Sequence, residues 1–101
     1  MNWQKVEFVR VYLHEADEKL EPLLKHLHDI QKVRGVTVLR AISGFGASGV
    51  MHTSSLLDLS LDLPVIVEFF DTPENIKPAL EYVSGLVGPG HIIKAAVEMN
   101  S

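Results

Sequence analysis

Three strand-like stretches of this chain are apolar on both phases of a two-residue repeat, and few folds can satisfy that. Between Lys5 and His14, Val9, Val11 and Leu13 alternate with Phe8 and Tyr12. In Leu63 to Phe70 (LPVIVEFF), Val65, Val67 and Phe69 alternate with Ile66 and Phe70. From His91 to Met99, Ala95 and Val97 alternate with Ile92 and Ala96. Successive strand residues point to opposite faces, so a sheet with one wet face should read apolar-polar-apolar. This pattern predicts a sheet covered on both sides.

The intervening segments supply one cover. Asp17 to Glu21 reads as a polar turn, and Pro22 suits a first helical position. Leu23, Leu24, Leu27 and Ile30 then recur at helical spacing, predicting a helix from Pro22 to Arg34 closed by Gly35. Val36 to Ser43 reads as a further strand, and Met51 to Ser60 as a loop with one helical turn. Thr72 before Pro73 is a helix start, followed by an apolar face of Ile76, Ala79, Leu80, Val83 and Leu86. Pro78 falls inside that helix, where a missing N–H and a steric clash predict a kink or a late start. Gly85, Gly88, Pro89 and Gly90 form a glycine-rich turn before the last strand. The order βαββαβ makes residues 1–101 a single α+β domain of ferredoxin-like type: a four-stranded antiparallel sheet with two helices on one face. Two helices leave the other face bare. Its apolar phase predicts burial against further copies of the chain.

Composition narrows the function classes. The net charge of −4, with nine Lys and Arg spread along the chain, argues against a nucleic-acid-binding surface. No apolar run approaches the roughly 20 residues of a membrane span, so direct membrane insertion is not expected. The absence of cysteine removes disulfides and thiolate chemistry and fits a cytoplasmic protein. Ser54, Ser55 and Thr53 lack His and Asp partners in a strand-turn-helix context, and no catalytic constellation emerges. The chain reads as a non-enzyme.

The segment Thr37 to Gly49 (TVLRAISGFGASG) ends a β-rich run in three glycines around Phe45, a loop suited to presenting backbone amides. Gly35-Val-Thr-Val followed by Gly44-Phe-Gly46, and the late Gly88-Pro-Gly90-His-Ile turn, together resemble the PII-like superfamily of small trimeric signalling proteins. The run SGFGASG with His52-Thr53, and then DLPVIVEFFDT, looks most like an uncharacterised prokaryotic family of PII-like proteins. The resemblance covers about Val6 to Glu98.

It implies a homotrimer with ligand clefts between subunits and an adenine nucleotide as the ligand. Gly44, Phe45, Gly46, Gly88, Gly90, His91 and Ile92 would line the cleft, with Thr37 approaching from the adjacent subunit. The loop Gly49 to Leu61 would take the place of the arm that docks onto a regulated partner, such as a membrane transporter. Several PII features differ here. Ala47 and Ser48 stand where PII proteins have an Arg-Gln pair, His91 stands where they have a lysine, and the sequence reaches Ser101 without their two late arginines. Triphosphate would therefore meet little positive charge, leaving backbone amides and the Phe45 ring to hold a ligand. The Thr37 to Gly44 spacing is one residue longer than in PII proteins, which predicts a bulge. The 49–61 loop has no tyrosine, which excludes uridylylation of the PII kind.

Two alternatives follow from other residues. His52 and His91 flank the glycine loops, and in a trimer they could meet Glu68 or Asp58 as a divalent-metal site like that of the related CutA trimers. The lost cations equally fit a structural trimer with no ligand. His26 and His28, two apart on a helix, point in different directions and cannot share an ion. His14 reads as a solvated or capping histidine, and Glu15, Asp17 and Glu18 as a solvated turn beside a helix start. Trp3 is expected to pack against a neighbour, and Phe45 either under its own loop or over a ligand base.

Overall fold

A computed structural model describes residues 1–45 and 63–101, together with the backbone of His52 and Thr53. Strand β1 is Trp3–His14, helix α1 Leu20–Lys25, β2 Gly35–Arg40, β3 Ser43–Gly44, β4 His52–Thr53, β5 Pro64–Asp71, helix α2 Pro73–Leu86 and β6 Ile92–Asn100. The main sheet is antiparallel with order β2-β5-β1-β6, the ferredoxin-like arrangement expected from the βαββαβ order. At one end Trp3 pairs with Asn100, and the Ser101 N–H donates to the Asn2 carbonyl at 2.9 Å.

Register decides which phase meets the helices. Val9 lies opposite Phe69, Val11 opposite Val67 and Leu13 opposite Val65, so these six residues share one face. All are buried, against Leu23 and Leu27 of the first helical segment and Ile76, Ala79 and Val83 of α2. Removing such a side chain from water contributes about 1.5–3 kcal/mol, far more than any exposed ion pair, so this layer holds the fold.

The opposite face carries the second apolar phase, as the strand pattern requires. Phe8, Tyr12, Ile66, Phe70, Leu39 and Ile93 lie on it, and among the described residues no helix covers it. Leu39 is 45% exposed, Ile93 51% and Val97 41%. In its middle, Arg10 donates to Glu68 Oε1 at 2.5 Å and stands over the Phe8 ring. Hydrogen bonding to Tyr12, and then to Glu68, holds the Arg10 pKa above its ordinary value.

Several local expectations are corrected. α1 begins two residues before Pro22, which sits third in the helix. It is tolerated there because first-turn N–H groups have no intrahelical partner. After Lys25 the helix widens into a π turn, His26–Gln31, and ends on Lys32, which adopts the left-handed conformation itself at φ 52°. Gly35 is therefore not the cap. The wide turn also rotates Ile30 off the apolar stripe, leaving it 66% exposed.

Gly35 begins β2 opposite Phe70, where a Cβ would lie 2.5 Å from Phe70 Cε1. The glycine admits the ring. α2 starts at Pro73 and runs on past Pro78 to Leu86, so there is no late start, and Gly85 belongs to the helix instead of the turn. The Thr72 hydroxyl caps it, accepting from the Asn75 N–H at 3.4 Å. β2 leaves the main sheet after Arg40, and Ser43 and Gly44 pair instead with Thr53 and His52 in a short ribbon. The loop expected over Met51 to Ser60 otherwise lies outside the described residues.

Candidate functional site

The ends of β1 and β5 meet because His14 is registered with Pro64, and the turn before β6 is tied to the same place. The Tyr12 N–H donates to the His91 carbonyl at 2.8 Å, while His91 Nδ1 lies 3.1 Å from the Tyr12 carbonyl. A carbonyl only accepts, so Nδ1 carries the ring proton, and Nε2 is an acceptor in the neutral imidazole. Gly90 turns the chain into this position at φ +83°, a conformation that favours glycine. On the other side, the Ala41 N–H donates to the Pro64 carbonyl at 2.9 Å, which directs Ser43, Gly44 and Phe45 over the end of the sheet.

Together these segments enclose a cavity of about 440 Å³. Its walls come from Tyr12 to His14, Ala41 to Phe45, Pro64 with Ile66, and Pro89 to His91. The size lies within the roughly 300–1,000 Å³ of small-molecule sites. Phe45 is 69% exposed and Tyr12 37%, so two rings are available at the mouth. Among the described lining residues none is Lys, Arg, Asp or Glu; side-chain polarity comes from Tyr12, His14, Ser43 and His91. Such a cavity can stack a planar ring and offer backbone and imidazole hydrogen bonds. Three larger grooves, of about 600, 640 and 490 Å³, have no Phe, Tyr or Trp among their described lining residues.

The fold brings together Gly44, Phe45, Gly90 and His91 of the expected cleft. Thr37 lies elsewhere, exposed on β2 opposite Glu68 on the bare face. Gly88 is exposed outside the cavity wall, and Ile92 packs against the helix-side core opposite Val11. Gly46, the side chain of His52, Asp58 and the 49–61 loop lie outside the described residues. Tyr12, His14, Pro64 and Ile66 carry no signal of a site in the sequence, since only the strand register places them beside the glycine turns.

The other histidines have separate surroundings. His26 stacks on Tyr82 with ring centroids 3.6 Å apart, and His28 lies 2.7 Å from the Asp29 carboxylate. That contact is the main cause of the lowered Asp29 pKa. Among the described residues no three of His, Cys, Asp and Glu gather into a metal-sized cluster. Glu15 is not a solvated turn residue, since it pairs with Arg40 and its side chain is 15% exposed. Trp3 is 60% exposed in the single chain. Among the described residues no helix is long and apolar enough to cross a membrane.

The ferredoxin-like sheet with its bare apolar face is the fold that solved PII-like proteins share. CPII from Thiomonas intermedia K12, a nitrogen regulatory PII-like protein bound to ADP, AMP and bicarbonate, superposes with a TM-score of 0.68 at 19% identity, covering 97% of this chain and 91% of its own. CutA1 from Oryza sativa shares the fold at a TM-score of 0.60 and 12% identity, covering 96% of this chain and 82% of its own. By sequence the chain belongs to the DUF190 family, described as "Uncharacterized ACR", whose profile matches residues 6–99. It is 38% identical to a UPF0166 protein of Aquifex aeolicus (strain VF5), over 80% of this chain and 81% of the relative. The expectation of an uncharacterised PII-like family holds.

Proposed function

We propose that this protein is a non-enzymatic, cytoplasmic PII-like regulator. It assembles as a homotrimer through the bare face of its sheet and binds an adenine nucleotide in the cavity between the Gly44–Phe45 and Pro89–His91 turns. It passes the occupancy of that site through the 49–61 segment to a partner protein, such as a membrane transporter. The observation that carries the reading is the cavity itself: two glycine turns from distant parts of the chain meet around aromatic rings and backbone. CPII, bound to ADP and AMP, supplies the ligand class. Ligand binding switches a partner only by favouring one state of the segment over another, and the ribbon of Gly44 with His52 joins that segment to the cavity wall.

Thermal unfolding of the full chain, with its mass in solution measured, tests this reading against AMP, ADP, ATP and divalent cations. A ligand at a hundred times its dissociation constant stabilises the protein by about 2.7 kcal/mol. The expected result is a trimer stabilised by AMP or ADP and little by ATP. A trimer that ignores every adenine nucleotide overturns the reading, and one that responds to divalent cations alone makes it a CutA-like metal protein.

A further inference from the structure

Tyr12 and His91 hold each other through the backbone, and that clamp decides how one imidazole can act. The Tyr12 N–H donates to the His91 carbonyl at 2.8 Å, and His91 Nδ1 donates back to the Tyr12 carbonyl at 3.1 Å. Two bonds between the same two residues leave the ring little freedom to turn. With Nδ1 engaged by the backbone, Nε2 is the polar atom that the ring has left for a ligand, and among the described residues it has no partner. His91 is exposed and forms part of the cavity wall. Tyr12 lines the same cavity, registered with Ile66 on the bare phase of the sheet, so a planar ring stacked on Tyr12 comes beside the His91 imidazole.

A hydroxyl both donates and accepts, so Tyr12 and Ser43 cannot tell an N–H from a lone pair, whereas an unprotonated imidazole nitrogen only accepts. No described wall residue is a carboxylate or a side-chain amide, and His14, the other histidine of the wall, has its Nδ1 buried. We propose that His91 Nε2 selects the base: it accepts a hydrogen bond from the exocyclic amine of a 6-aminopurine. A purine with only hydrogen at that carbon leaves Nε2 without the donor, and a 6-oxopurine turns an oxygen lone pair toward it. The site therefore favours adenine over both. The inference rests on the reading of the cavity as a nucleotide site and adds the choice of base, because stacking on Tyr12 or Phe45 accepts any planar base.

Isothermal titration of the full chain, in mildly alkaline buffer where imidazole is neutral, compares AMP with purine riboside 5′-monophosphate, which differs only in lacking the amine. AMP is expected to bind about three- to tenfold more tightly, the range of one net hydrogen bond, and more tightly than IMP as well. His91→Asn keeps an amide N–H near the position of Nδ1 and removes Nε2, so AMP should fall to the affinity of the analogue while the analogue stays unchanged. His91→Gln, whose amide can present either oxygen or N–H, should bind AMP and IMP alike. Nitrogen NMR of the labelled, unmodified chain reads the ring without any substitution: the proton is expected on Nδ1, and the Nε2 resonance should move with AMP but not with the analogue. Equal affinity of the unmodified chain for AMP and the analogue overturns the inference and leaves the nucleotide reading standing. A preference for AMP that survives in His91→Asn, or a ring proton found on Nε2, overturns it in the same way. If the unmodified chain binds none of these nucleotides, the underlying reading fails and takes the inference with it.

Discussion

Gly35 shows how one missing side chain sets a packing arrangement. Its φ lies outside the left-handed region, so the glycine is required by the Phe70 ring lying across it and not by the backbone. Adding a methyl group forces that ring aside on the bare face of the sheet. Gly35→Ala is expected to cost about 1–3 kcal/mol, the range for overpacking. Phe70→Leu in the same chain should recover part of the loss, which urea denaturation of the four members of the cycle would read as a coupling between neighbours. A fully additive cycle would refute the steric account. The glycine was visible in the sequence, but its role was not. At the end of an apolar stripe it resembles a helix stop, and only the register of β2 against β5 reveals the ring.

The junctions between elements depend on Asp71, a buried carboxylate at the end of β5. Its oxygens accept from the Thr72 N–H at 2.6 Å, the Arg34 N–H at 3.0 Å and the Asn75 side-chain amide at 3.3 Å. One side chain thus joins the start of α2 to the chain entering β2. Asp71→Asn keeps the shape but turns one acceptor into a donor facing these N–H groups. It is expected to lower stability by about 1.5–3 kcal/mol, seen as a shift of the urea midpoint at unchanged slope. A midpoint within experimental error of the parent would show that the junction is held by packing instead.

Elements were legible in proportion to how locally they are encoded. β1, β5 and α2 declare themselves through periodicity and the Thr72-Pro73 start, and the observed ends differ by a few residues. The π turn after Lys25 was not legible, because nothing in HLHDIQ sets a wider repeat. The same holds for the departure of β2 at Ala41, beyond the hint in the long Thr37 to Gly44 spacing. The candidate site was half legible. Glycines and Phe45 mark the turns, whereas Tyr12, His14 and Pro64 reach the cavity only through strand pairing.

At the scale of the molecule, the bare sheet face is the feature that asks for other copies. Exposed Leu39, Ile93 and Val97 lie around the Arg10–Glu68 pair, and Arg10 Nε is buried without a hydrogen-bond partner among the described residues. Apolar area supplies the drive for association, while a charged pair at its centre penalises misaligned contacts, since a desolvated unpaired charge is costly. Ile93→Glu, on this face opposite Arg10, is expected to convert the proposed trimer to monomers that still unfold cooperatively. Light scattering with thermal unfolding would show it, and an unchanged mass would mean that copies meet elsewhere.

The antiparallel pairing of β1 with β6 has a practical consequence. Trp3 and Asn100 are neighbours at one end of the sheet, and the cavity lies past Tyr12 at the other. Along β1 that is about 3.4 Å per residue, or roughly 30 Å. A fluorescent reporter fused at either terminus would stand well clear of the cavity. A short peptide bridging the termini would permit circular permutation, with new ends opened elsewhere in the chain.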